Sequence, residues 1–401
     1  MLYSRYKNRR LDLSYRYKVT TLVFMGNLLS QLAIDLYTPS MPFMRVAFHT
    51  TSSYIQLSLT TYMFGYGMLQ IVFGYFADKF GRRPTMLSGY IGFLIATFLI
   101  LRTHSIVYFL LFRFLQGASG AAFQVIMRTT FRDLFHGIEL SKVSGYYSTL
   151  WAVVPILAPT LGGYIQHYFG WQMHFKIMLG LCAFLFLLTW SLLPETKSKA
   201  ANVEALHFFS ALQAQLKNHT MLLFAIIVSL PNAIILAYIA VAPFLLQSGF
   251  LLSPITFGWL AFAITVFNML GAFITGKFIE NIGSRKLIVY TSALMTLGLL
   301  SMLLLNLLNS HNLLYILIPI AIVFFAIGAL YPAAAGKVYM EINANAGIGV
   351  ALFGTILIVI TATGVGIVSF LPHHTLLPFV YFSLLTFALT LVILFYLRRK
   401  L

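Results

Sequence analysis

Acidic side chains are the scarcest feature of this 401-residue chain: nine Asp and Glu stand against 26 Lys and Arg and 10 His. Charged residues of both signs make up only 9% of the sequence, where soluble domains carry about 25%. Such a chain lacks the polar atoms to cover a water-facing surface, which excludes an ordinary soluble domain. One cysteine, Cys182, allows no internal disulfide, and its apolar surroundings in sequence suggest a buried structural thiol. No Cys/His spacing suits a metal, so neither metal nor cofactor is expected. The histidines fall in loops or at the ends of apolar blocks, and no His pair shares a membrane face with an acid, which argues against an intramembrane enzyme. The adjacent His373 and His374 are simplest as solvated loop residues.

What is present is apolar length. Sixty per cent of the residues are hydrophobic, and they come in blocks of about 20, the length a helix needs to cross a bilayer core. Polar, Pro or Gly punctuation marks out twelve spans, at 19–37, 53–76, 84–101, 106–128, 143–166, 172–193, 221–247, 256–280, 287–308, 312–335, 347–370 and 376–398. The first run is too long for a signal-peptide core and lacks a small-residue cleavage site, so it reads as a membrane helix. The reading is therefore an all-α polytopic membrane protein, with residues 1–193 and 221–401 as two six-span halves. The connector, 194–220, carries Glu204, His207 and Lys217 and has the character of an interfacial helix.

A net charge of +17 would suggest nucleic acid in a soluble protein. Here the basic residues sit in short loops and read as topology signals instead, so no nucleic-acid partner is expected. With the N-terminus in the cytoplasm, only Arg45, Arg102 and Lys176 fall outside, Arg113 falls within a span, and the other basic residues are cytoplasmic or near that interface. Both termini are then expected to be cytoplasmic. Asp12, Asp78, Asp133, Glu139, Glu195, Glu204, Glu280 and Glu341 map to the same side, which leaves Asp35 as the one acid elsewhere.

The halves repeat. Gly74, Asp78, Gly81 and Arg83 follow the second span, and Gly276, Glu280, Gly283 and Arg285 follow the eighth, all at one constant offset. Four matches in register at equivalent loops indicate a duplicated six-span unit, the pattern of a two-bundle transporter with its site between the bundles. A channel would need neither the repeat nor this loop.

At these residues the sequence resembles the major facilitator superfamily. Gly74-Tyr-Phe-Ala-Asp78-Lys-Phe-Gly81-Arg82-Arg83-Pro84 is similar to that family's signature loop between helices 2 and 3. As a cytoplasmic latch, Gly74 and Gly81 would permit close approach and a tight turn. Asp78 would meet a helix N-terminus or a basic group, and Arg82 and Arg83 would anchor at the inner face. Arg113 followed by Gln116, Gly117, Gly120 and Gln124 on one helix face resembles the family's second motif. An arginine there should face protein or water. The alternative is that it snorkels to an interface roughly 10 Å away. Val154-Pro155-Ile-Leu-Ala158-Pro159-Thr-Leu-Gly162-Gly163 resembles the motif of the family's exporters, with Val154 and Ala158 where glycines are usual. Its small residues also read simply as packing sites, and its prolines as a bend. Ile34 to Pro42, Phe131-Arg132-Asp133-Leu-Phe135, Leu193-Pro194-Glu195-Thr196 and Ala237 to Phe244 narrow the resemblance to the bicyclomycin/chloramphenicol-resistance group of drug–proton antiporters.

Within that frame Asp35 is the sharpest candidate. Asn27, Gln31 and Asp35 recur at i, i+4 and i+8, a polar stripe that should line a cavity because lipid would leave it unsatisfied. Asp35 is expected to exchange the coupling proton, with Arg113 as the nearby cation; the alternative is a helix-end residue at the outer interface. Asn27, Gln31, Gln124, Asn232 and Tyr238 are candidate substrate contacts, with Phe262 as apolar wall. Asn232 follows Pro231, which would open the helix there, although an intramembrane Asn is as often interhelical glue. The resemblance implies a proton-driven exporter of small amphipathic molecules in a bacterial inner membrane, working by alternating access; a monomer is expected, and with one candidate acid the simplest coupling is one proton per cycle. Export of an endogenous metabolite such as a siderophore, and proton-coupled import, stay open. An anionic cargo would want a cavity cation besides Arg113, and none is obvious.

Overall fold

The computed structural model describes residues 13–197, 208–308, 312–342, 346–372 and 375–398. Residues 198–207 of the connector, Glu204 and His207 among them, lie outside the described residues, as do His373 and His374. Among those described there are twelve helices of 20 or more residues and no strand. They are α1 (Leu13–Asp35), α2 (Ser52–Phe80), α3 (Arg82–Arg102), α4 (Ile106–Leu134), α5 (Gly137–Phe169), α6 (Gln172–Leu192), α7 (His219–Pro243), α8 (Pro254–Ile282), α9 (Ser284–Leu307), α10 (Leu314–Glu341), α11 (Ala346–Ser369) and α12 (Leu377–Tyr396). A 3-10 turn, Thr38–Ser40, and a short helix, Met41–Ala47, follow α1. A π-helical turn, Phe244–Gly249, extends α7, and a helix over Phe208–Leu216 precedes it.

Length and apolarity qualify every long helix but α2 as a membrane span. The exception is instructive. Its sequence carries Gln56, Ser58, Thr60, Tyr62, Tyr66 and Gln70, and all of these are buried by neighbouring helices. A span that faces protein rather than lipid can carry such groups. Several helices overrun their apolar blocks: α1 begins at Leu13, α4 continues to Leu134, α5 begins at Gly137 and α10 runs to Glu341. Hydropathy marks the edge of the apolar segment, whereas the backbone ladder runs on wherever polar side chains can be solvated.

The internal repeat reappears in the packing. In the first half α1 contacts α4, α5 and α6, while α3 contacts α4 and α6. In the second, α7 contacts α10, α11 and α12, and α9 contacts α10 and α12. The tightest pairs match as well. On α2 and α4, Gly65 abuts the Phe114 carbonyl and Gly117 the Tyr62 carbonyl; on α8 and α10, Gly271 abuts Phe325 and Gly328 abuts Asn268. Apolar surface gains little by leaving lipid, so small residues that let backbones touch hold such pairs together. The glycine turns also correspond, with φ +107° at Gly81 and +83° at Gly283.

The halves meet along α2 with α11 and α5 with α8. The seam is closed at the end that carries the α1–α2 connection. There Thr160 Oγ1 donates to the Gly258 carbonyl at 3.0 Å, Gln247 Nε2 to the Pro39 carbonyl at 2.9 Å, and Trp259 Nε1 to the Tyr164 hydroxyl at 3.3 Å. Toward the other end, where the termini emerge, α2 and α11 part. Gly67 sits against Ile358 and Val359, yet Gly74, two turns on along the same face, meets nothing within 4 Å.

Candidate functional site

Asp35 is the last residue of α1, and a helix ending inside a membrane protein must satisfy its final carbonyls. Side chains do so here. Thr38 Oγ1 donates to the Asp35 carbonyl at 2.9 Å, and Arg113 Nη2 to the Ala33 carbonyl at 2.9 Å. The Asp35 carboxylate is 2% exposed and accepts a hydrogen bond from Gln31 Nε2 at 2.8 Å. It is thus a buried helix-end residue rather than one exposed at an interface. It faces a cavity of about 30 Å³ shared with Pro155, Pro159, Tyr238, Phe257, Ile264 and Phe324, room for about one water. The Tyr238 hydroxyl is buried there without a hydrogen-bond partner, its ring edge-on to Phe324 at 5.5 Å. Asp35 and Tyr238 therefore meet at a cavity that both halves line.

Arg113 is fully buried and does not snorkel. Its guanidinium lies between the rings of Tyr37 and Tyr62, 4.6 and 4.4 Å from their centroids. It also donates to Gln116 Oε1, and Gln116 in turn donates to Thr97 on α3 at 2.8 Å. Among the described residues no ion pair joins Asp35 and Arg113. The guanidinium instead fastens the last turn of α1, two residues before the acid, where a cation at a helix C-terminus is favourable.

Asn27 is buried on α1, two turns below Asp35. With its amide oriented so that donors meet acceptors, Gln124 donates to Asn27 Oδ1 and to the Tyr66 hydroxyl at 3.2 Å. Its carbonyl accepts from Arg128 Nη2 at 2.7 Å and Nε at 3.2 Å. Sequence reasoning missed Arg128, which it assigned to the span edge. The signal was there: residue 128 continues the face of 113, 116, 117, 120 and 124.

The remaining candidates divide. Asn232 donates to the Val228 carbonyl of its own helix at 2.8 Å, so its amide serves the backbone beside Pro231. Phe262 rests against Trp259 at 5.6 Å, while Phe257, Ala261, Ile264 and Thr265 of the same helix line the cavity. In α5, Pro155 and Pro159 face that cavity, Gly162 abuts the Leu36 carbonyl and Gly163 the Pro254 carbonyl. This segment thus packs the closed end of the seam.

The loop between α2 and α3 is a buried charge cluster. Arg82, 4% exposed, donates to Asp78 Oδ1 and Asp133 Oδ2 at 2.9 Å each and to the Ala77 carbonyl at 2.7 Å. It is therefore held inside rather than anchored at a membrane face. Glu195 of the connector accepts from the backbone N–H groups of Arg82 and Arg83 at 2.9 and 3.2 Å, capping the start of α3. Arg83 donates to the Trp190 carbonyl at 2.6 Å. Arg132 is exposed. Gly74 makes none of the close approach expected of it in this state. The second half has Ser284 where Arg82 would repeat, and its Glu280 and Arg285 are exposed.

Comparison with known proteins supplies a frame. A family model described as Major Facilitator Superfamily matches residues 23–356. A chloramphenicol resistance protein of Pseudomonas aeruginosa is 27% identical over 382 residues, covering 93% of this chain and 90% of its own length. The multidrug transporter MdfA of Edwardsiella piscicida is 29% identical over 297 residues, 73% of this chain and 72% of its own. Among solved structures, a D-xylose–proton symporter superposes with a TM-score of 0.78 at 12% identity, over 94% of this chain and 97% of that one. A partially occluded, inward-open form of the xylose transporter XylE from E. coli gives 0.71 at 12% identity, over 96% and 99%. At that identity the likeness concerns the fold.

Proposed function

The chain belongs to the Major Facilitator Superfamily, and from that premise we propose that it is a proton-coupled exporter of small amphipathic molecules, drugs among them. It is a multi-pass membrane transporter; the coupling, direction and cargo are the proposal. The observation that carries it is Asp35, a buried carboxylate with no cation paired to it, lining a cavity between two halves that can part. A carboxylate in such a place holds a proton or gives it up according to which side the cavity meets and what else occupies it.

In this reading residues 1–193 and 221–401 are two bundles that rock about the seam, joined by 194–220. The state described is closed at the end with the α1–α2 connection and parted beside Gly74. We place the parted end and both termini in the cytoplasm of a bacterial inner membrane, with the monomer as the working unit. Cargo entering there meets Asn27, Gln31, Gln124 and Tyr238 against an apolar wall of Phe257, Ile264 and Phe324. Asp35 releases its proton as cargo binds and regains one from the other side, one per cycle. Arg113 positions the α1 terminus that carries it. The Asp78–Arg82–Asp133 cluster, capped by Glu195, keeps the parted end of the first bundle rigid as it moves.

The test is proton release from purified, detergent-solubilised protein on adding cargoes, chloramphenicol among them, with wild type beside Asp35→Asn. Cargo-dependent release that disappears in the variant supports antiport through Asp35. Equal release in both places the exchanged proton elsewhere, and none with any cargo defeats the coupling.

A further inference from the structure

A second group of buried polar side chains lies about 12 Å from Asp35 along α1, at the level of Asn27. Arg128 is its centre. The side chain is half-buried, is held by the Gln124 carbonyl, and has no carboxylate paired to it among the described residues. Beside it Gln70 of α2 is fully buried with neither amide atom hydrogen-bonded. Both reach the same spot on the opposite half. A Cβ added to Gly354 of α11 would meet Arg128 Nη1 at 3.0 Å and Gln70 Oε1 at 3.3 Å.

An unneutralised guanidinium and an unpartnered amide within a membrane protein are costly arrangements that a stability role does not require. Two observations limit what could offset them. None of the described acids of this region supplies the acceptor, since they are engaged elsewhere: Asp133 with Arg82, Glu139 with Arg16 and Asp35 with Gln31. The acceptor must also reach the seam, where glycine at 354 lets the Arg128 and Gln70 side chains close against the α11 backbone, so that they are uncovered as the halves part. A carboxylate meets both conditions, taking charge-assisted hydrogen bonds from the guanidinium and one from Gln70 Nε2.

We propose that Arg128, Gln70 and Gln124 form a subsite for an anionic head group, so that the preferred cargo is a carboxylate-bearing amphiphile. Its apolar body points along α1 toward Tyr238 and Phe324. This deepens the exporter reading and rests on it for the word cargo, but the subsite itself can be tested by binding alone. It also supplies the cavity cation whose absence in the sequence argued against anionic substrates.

The probes are dansylated amino acids of graded side-chain size, each as the free carboxylate and as its methyl ester, titrated into the full-length protein in neutral detergent. Wild type is expected to bind acids more tightly than their esters. Arg128→Gln should weaken the acids about tenfold, the loss of one charge-assisted pair, and leave the esters within about twofold. Gly354→Ala, which keeps the charge but crowds it, should lower acid binding selectively as well, so the inference does not depend on one variant folding. No acid preference in any wild-type pair, or equal loss of acids and esters in both variants, overturns it. Asp35→Asn measured alongside separates the two readings: an acid preference kept while proton release is lost, or never seen, leaves the subsite standing whatever becomes of antiport.

Discussion

Arg113→Lys keeps the charge and removes the planar fork, and the surroundings of Arg113 predict a large effect. The guanidinium makes hydrogen bonds to Gln116 Oε1 and the Ala33 carbonyl and lies between the rings of Tyr37 and Tyr62. A lysine ammonium can reach one acceptor and one ring face at most. A hydrogen bond from a charged group is worth about 1.5–3 kcal/mol and a desolvated cation–ring contact about 1–2 kcal/mol, so the loss is roughly 2.5–5 kcal/mol before relaxation. The single cysteine makes this measurable. Cys182 is fully buried, so a thiol-reactive dye gains fluorescence only when the helix bundle opens. Arg113→Lys should unfold several degrees below wild type in this assay. Because Ala33 lies two residues before Asp35, it should also blunt cargo-dependent proton release more than cargo binding. An unchanged unfolding temperature would refute the reasoning, since it would mean that neither ring nor carbonyl depends on the fork.

The two repeat-related turns give a paired prediction. Gly81→Ala meets both a left-handed backbone, φ +107°, and the Glu195 carboxylate, whereas Gly283→Ala, φ +83°, meets open space. Backbone strain alone costs about 1–3 kcal/mol, so both should lower the dye-reported unfolding temperature, with Gly81→Ala the lower of the two. Gly74→Leu should leave that temperature unchanged, since nothing lies within 4 Å, and yet slow transport in vesicles by obstructing the approach of α2 to α11. Wild-type transport in that variant would mean that the parted end never closes there.

Much of this was legible in the sequence because membrane helices are written in blocks. Length, punctuation and the repeated glycine–acid–glycine–arginine loop led to twelve helices and their two-fold order. The burial of Asp35 followed from the Asn27–Gln31–Asp35 spacing, because only one helix face can carry three polar groups into a membrane. Partnerships across helices were not legible. Arg113 was expected beside Asp35, but Tyr37 and Tyr62 reach it from the turn after α1 and from α2, and no local pattern encodes that meeting. Phe262 was chosen for its type, whereas the cavity takes residues 257, 261, 264 and 265, one helix face that excludes 262. Arg128 was set aside because an arginine at a hydropathy edge reads as a topology signal. The helix runs on past that edge to Leu134 and leaves it inside.

The asymmetry between the halves bears on how such a molecule can move. The buried or paired acids described here, Asp35, Asp78, Asp133 and Glu139, belong to the first half, and Ser284 stands where the second would repeat Arg82. The second half contributes Tyr238, Phe257, Ile264 and Phe324 to the cavity, a nearly apolar face. Between the halves, the closed end is held by the hydrogen bonds of Thr160, Gln247 and Trp259. At about 0.5–1.5 kcal/mol each these amount to only a few kcal/mol, and apolar contact adds less than it would in water because lipid is the alternative. A seam this weakly held can be shifted by a ligand whose affinity for the two states differs by a comparable few kcal/mol. A proton on Asp35 or an anionic head on Arg128 falls within that range. Strong polar chemistry confined to one rigid bundle, with a weakly polar partner rocking against it, lets small binding differences at two sites govern which end is open.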